Sequence, residues 1–151
     1  MKNNFLLIIF FIITHFYLII EVQSSEPFNF DVTEVEILEN GNVFLGKKRG
    51  IATSKENITI EAENFRYNKS SNILEANGDV VINDNFRNLK IYSDKITYFK
   101  NDEIILTNEN SKAIQEEIII TASNFKYDKK LNILNANGNV EIEDKINQYF
   151  I

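Results

Sequence analysis

From Ile58 onward, apolar and polar positions alternate with a period of two. Ile58, Ile60 and Ala62 share one parity, and Val80 and Ile82 form another run of it, the spacing that puts every second side chain on one face of a β-strand. The apolar positions are filled mainly by β-branched and aromatic residues, which suit a pleated, half-buried surface. Turn formers interrupt the alternation: Asn68-Lys69-Ser70-Ser71-Asn72, Asn77-Gly78, Lys100-Asn101-Asp102, Asp128-Lys129-Lys130 and Asn137-Gly138 all supply residues that tolerate tight or left-handed geometry. No stretch after Gln23 reads as a helix. The pattern predicts an all-β, antiparallel protein.

The strands come as a repeat. Ile58 to Asp84 aligns without a gap on Ile118 to Asp144, with about 16 identities over about 27 positions. Leu89 to Tyr98 carries a degenerate copy, in which Ile91 answers Ile60, Ser93 answers Ala62, Ile96 answers Phe65 and Tyr98 answers Tyr67, so the period is about 30 residues. Asn40-Gly41, ahead of Val43, marks an earlier unit from about Phe28 to Thr53. Phe65 and Tyr67 lie on the opposite parity from Ile60 and Ala62, so a straight strand would expose one of the two pairs. A bulge or bend near Glu63-Asn64 resolves the conflict, and repeated bends of this kind curve a sheet.

The start of the chain has a different character. Met1 to Asn4 is short and basic, Phe5 to Ile20 is almost unbroken apolar sequence, and Val22-Gln23-Ser24 offers small residues for a signal peptidase. Residues 1–24 therefore read as a secretory signal peptide, cut after about Ser24, with the domain occupying 28–151. The alternative is an uncleaved anchor, although about 16 helical residues rise only roughly 24 Å against a hydrocarbon core of about 30 Å.

Chemistry is narrowed by what the chain lacks. With no Cys there is neither a disulfide framework nor a lipid-modified start, so an apolar core and ladder hydrogen bonds must hold the domain. The one His, His15, falls inside the signal segment, which leaves no imidazole for acid–base chemistry and no zinc ligands. The net charge of −6 disfavours nucleic acid as a partner. Paired carboxylates keep a glycoside hydrolase as the enzyme alternative, but the acids sit at strand ends and turns without a singular site.

The phrases Ala62-Glu-Asn-Phe-Arg-Tyr67 with Leu74-Glu-Ala-Asn-Gly-Asp-Val80, and Ala122-Ser-Asn-Phe-Lys-Tyr127 with Leu134-Asn-Ala-Asn-Gly-Asn-Val140, resemble the repeat of the OstA-like (organic solvent tolerance) family, the β-jellyroll modules of lipopolysaccharide transport. Phe28 to Ile37 and Gly46-Lys-Lys-Arg-Gly50 are further similar to the periplasmic N-terminal part of the lipopolysaccharide-assembly protein LptD. The resemblance implies a curved antiparallel β-jellyroll, V-shaped or taco-like, with a greasy interior along which lipid A acyl chains move. It implies no catalysis and no cofactor, a periplasmic location towards the outer-membrane side of the envelope, and edge-to-edge pairing with related modules. The assembly protein continues into a barrel, whereas here the repeat register stops in mid-strand: Tyr149 aligns with Leu89 and Ile151 with Ile91. The expected free edges are Phe28 to Ile37 and Lys145 to Ile151.

On this reading the lipid-facing candidates are Ile58, Ile60, Ala62, Tyr67, Leu74, Val80, Ile82, Ile91, Ile118, Ile120, Ala122, Tyr127, Leu134, Val140 and Ile142. From pattern alone the same residues fit a closed sandwich core. Lys47-Lys48-Arg49 is the densest basic run and fits either a lipid phosphate or a solvated turn. Asp31 with Glu34 and Glu36, and Glu141 with Glu143 and Asp144, lack the spacing of a calcium loop. The functional alternatives are a β-repeat envelope assembly protein without lipid cargo and a membrane-anchored module of the same transport bridge.

Overall fold

The computed structural model describes residues 26–145 and the strand Tyr149–Phe150. The expected signal segment lies outside the described residues. Among the described residues thirteen antiparallel strands follow one another: β1 Phe28–Leu38, β2 Val43–Ser54, β3 Ile58–Ala62, β4 Asn64–Asn68, β5 Ile73–Asp84, β6 Leu89–Phe99, β7 Ile104–Asn108, β8 Ser111–Gln115, β9 Ile118–Ala122, β10 Asn124–Asp128, β11 Ile133–Asn137, β12 Glu141–Asp144 and β13 Tyr149–Phe150. One 3-10 turn, Glu39–Gly41, joins β1 to β2.

The strands form a single sheet folded along a crease into two leaves. The first leaf runs β1-β2-β4-β5-β6-β7-β10-β11 and the second β1-β2-β3-β5-β6-β8-β9-β12-β13. Long strands β1, β2, β5 and β6 cross the crease and serve both leaves; elsewhere the crossing breaks a strand in two, as between β3 and β4. Hairpin tips of the two leaves face each other at the mouth of the resulting V. As expected, β1 is one edge and β13 ends the second leaf, but the first leaf ends at β11, an edge that the sequence reading did not place.

Corner chemistry explains the repeated phrase. The bend expected at Glu63-Asn64 is present: β3 ends at Ala62, β4 starts at Asn64, and Ala62, Phe65 and Tyr67 are all buried. At the corner the Glu63 N–H donates to the Gly78 carbonyl at 3.0 Å, and one repeat later the Ser123 N–H donates to the Gly138 carbonyl at 2.6 Å. Gly78 and Gly138 have φ of +81° and +75°, and a Cβ on Gly78 would lie 2.8 Å from the Glu63 Cβ, so each Asn-Gly pair marks a crease rather than a hairpin. Where corners free backbone groups, hydroxyls replace the ladder: Ser93 Oγ donates to the Lys95 carbonyl at 3.0 Å, and the Phe125 N–H donates to Thr107 Oγ1 at 2.7 Å.

Candidate functional site

Inside the V, cross-strand partners point to the same side and build two apolar ladders. On the first leaf the ladder is Ile37, Phe44, Tyr67, Leu74, Tyr98, Ile105, Tyr127 and Leu134, each the register partner of the next. On the second it is Phe30, Ala52, Ile60, Ile82, Ile91, Ala113, Ile120 and Ile142. Seven inter-strand steps of about 4.8 Å give each ladder a length of roughly 34 Å.

The middle of the V is filled by its own side chains. Ile58, Ile60, Ala62, Tyr67, Leu74, Val80, Ile82, Ile91, Ala122 and Tyr127 are buried there, together with Phe65, Ala76, Ile96, Tyr98, Ile105 and Phe125. Towards β1 the filling is aromatic: the Phe28 ring meets Tyr67 and Tyr98 edge-on at 5.3 and 5.5 Å, and Phe30 stacks on Phe44 at 4.2 Å.

At both ends the ladders run out into solvent. Ile37 is 54% exposed. At the other end Ile120, Leu134 and Ile142 are half-buried, and Ile118 is 41% exposed. Between these residues the leaves part around a cavity of about 160 Å³ lined by Leu89, Ala113, Ile118, Ile120, Tyr127 and Leu134, with Gln115 and Asn132 at its polar side. A larger recess of about 620 Å³ at the crease is lined almost entirely by polar residues, among them Asn108, Asn110, Lys112, Thr121, Ser123 and Asn139. Val140 departs from its repeat equivalent: Val80 is buried within β5, whereas Val140 precedes β12 and is 41% exposed.

The mouth of the V is polar. Tyr98 donates to Glu103 at 2.7 Å, and the Lys129 ammonium donates to Glu103 at 2.5 Å and to the Tyr98 hydroxyl at 3.1 Å. Lys100 also binds Glu103 and reaches Glu56 on the opposite leaf at 3.0 Å. Asp84 takes hydrogen bonds from Tyr127 at 2.7 Å and from Arg87 at 3.0 Å. Burial pushes the Glu103 carboxyl up, but hydrogen bonds from Lys100, Lys129 and Tyr98 outweigh it and hold the group at about 2. Burial pushes Tyr67 up to about 12, and it raises Tyr98 and Tyr127 as well, with the adjoining carboxylates adding to the shift.

Lys47 and Lys48 pair with Glu36 and Glu34, and Arg49 lies 3.5 Å from Glu61, so the basic run is a solvent-facing corner whose charges are already matched. Sequence reasoning passed over Phe28, Tyr98 and Ile105 as interior residues. Tyr98 was available from the degenerate repeat, where it answers Tyr67; the other two lie outside the repeated phrase.

Comparison with known proteins agrees with this architecture. A lipopolysaccharide transport protein of solved structure, the periplasmic LptA homologue LptH of Pseudomonas aeruginosa, matches with a TM-score of 0.66 and 17% identity over 75% of this chain and 83% of that one. No curated protein matches by sequence. The family that matches is described as lipopolysaccharide-assembly, LptC-related, and the match spans residues 21–144, most of the chain and nearly all of the described sheet. This chain is therefore a member of the LptC-related family of lipopolysaccharide-assembly proteins.

Proposed function

We propose that the chain is a non-enzymatic periplasmic module of lipopolysaccharide transport that shields lipid A acyl chains between its two leaves. The observation that carries this reading is the pair of facing apolar ladders, which run the length of the two leaves and end in residues that are half-buried or, at Ile37, exposed. A self-contained core has no need of inward-facing isoleucines at its rims; a conduit joined to further modules does. Each methylene buried along the ladders contributes about 0.8 kcal/mol, so several acyl chains together offset the cost of parting the leaves.

The terminal strands β1 and β13 carry the second half of the proposal. An edge strand has unpaired backbone groups that a further strand can satisfy, so a related module added at β1, or across β11 and β13 together, extends both ladders without a break. Residues 1–24 act as the export signal or as an anchor, and 28–151 as the transport domain. The resemblance to the N-terminal part of the assembly protein LptD favours a position towards the outer membrane.

A photoreactive phenylalanine analogue placed at Leu134, whose side chain faces the cavity, tests the reading against the same analogue at its outward neighbour Asn135. Cross-linking to lipopolysaccharide at 134 and none at 135 is expected. Equal labelling at the two positions, or none at either, would count against a groove.

A further inference from the structure

We infer that the mouth of the V is a polar latch that must open before cargo enters from the side, so that latch opening gates loading. The inference rests on the acyl-groove reading. In the closed arrangement the middle of the ladders has no room for a lipid chain, because Tyr67, Leu74, Tyr98 and Ile105 are all fully buried against the opposite leaf. Cargo can occupy this region only when the leaves separate.

The contacts that oppose separation join hairpin tips rather than the crease. Glu26, just ahead of β1, meets Lys69 at 2.5 Å; Glu56 meets Lys100 at 3.0 Å; Tyr127 donates to Asp84 at 2.7 Å; and Arg87 donates to the Lys129 carbonyl at 2.7 Å. Each links one leaf to the other. The crease has the opposite character, since β1, β2, β5 and β6 run through it without a chain break and provide a hinge. The exposed pair Glu26–Lys69 is individually weak, and the remaining links are single hydrogen bonds or one half-exposed ion pair, so the row closes the mouth without fixing it shut. Tyr127 belongs to the latch and also lines the cavity, which places the first link to part beside the space that is already open. Opening from that end would let the leaves separate progressively, like a zipper.

The absence of native cysteine makes the test clean. Glu56→Cys and Lys100→Cys, introduced together, are bridged by a short bis-methanethiosulfonate that reductant removes. Uptake of a fluorescent lipopolysaccharide is then followed for the bridged, the released and the unmodified chain, with circular dichroism melts showing that all three are folded. Bridging is expected to slow uptake by at least about tenfold, since the apparent affinity scales with the open fraction, and reduction is expected to restore it. Tyr127→Phe, which removes a link without adding a bridge, should accelerate uptake. Equal uptake by bridged and released chains, with the unmodified chain also loading, would overturn the gate and leave the groove standing. Failure of the unmodified chain to take up lipid would overturn the groove, and the gate with it.

Discussion

The Tyr127 hydroxyl donates a 2.7 Å hydrogen bond to the Asp84 carboxylate across the mouth of the V, although the two residues are 43 positions apart and belong to different leaves. The Tyr127 ring lies in the core while its hydroxyl reaches Asp84, so this contact ties the packing of one leaf to the polar mouth of the other.

Tyr127→Phe keeps the ring and its packing but removes this bond, and Asp84 retains its contacts with Arg87. The expected loss is about 1–2 kcal/mol, read from urea unfolding monitored by circular dichroism. A neutral result would show that this hydrogen bond adds nothing to the apolar packing and the other polar links between the leaves.

Phe28 is the aromatic plug nearest the β1 end, in edge contact with Tyr67 and Tyr98. Phe28→Ala should cost about 3 kcal/mol, the usual toll of an aromatic truncation in a core, with loss of near-ultraviolet ellipticity from the tyrosines.

At the crease, Gly78→Ala combines an unfavourable φ with a Cβ driven into Glu63, and should destabilise by about 1–3 kcal/mol. Pairing it with Glu63→Gly relieves the clash but not the backbone cost, so partial recovery is expected in the double variant.

Acid should loosen the mouth. The Glu103 carboxyl is held at about 2, against 4.5 for a free side chain, so the stability it supplies is fully present above about 4.5 and disappears as pH falls towards 2. The amount is on the order of 3 kcal/mol at most, by the linkage of proton binding to folding. Glu103→Gln removes the partner of Lys129, which is only 4% exposed, so the variant should be several kcal/mol less stable at neutral pH and have a flatter acid limb. Denaturant midpoints measured from pH 2 to 7 for both chains provide the comparison.

How far the sequence predicts this molecule varies by feature. Alternation placed Ile58, Ile60 and Ala62 on one face, and the parity conflict with Phe65 and Tyr67 located a bend that the structure shows at Glu63. These are local properties, visible because a strand has a strict period of two. The division of β5 and β6 between two leaves was not legible, since β5 keeps one buried parity from Leu74 through Ile82 and β6 changes parity between Ser93 and Ile96 without ending. Lys129 sits in a run of turn formers and reads as solvated, yet it is buried, because Tyr98 and Glu103 come to it from 31 and 26 residues away. Periodicity tells which way a side chain points within its strand; it does not tell which distant tip supplies the opposite charge. Val140 and Val80 occupy the same place in the repeat but differ in burial, because the strand carrying Val80 crosses the crease intact and the one after Val140 begins anew.

Nuclear Overhauser effects from lipopolysaccharide acyl methylenes to isoleucine methyl groups of the loaded protein report whether acyl chains lie between the leaves. Effects at Ile118, Ile120 and Ile91, with none at Ile51 on the outer face, are the expected pattern. Contacts confined to Ile51, or absent from every isoleucine while lipid remains bound, would contradict it.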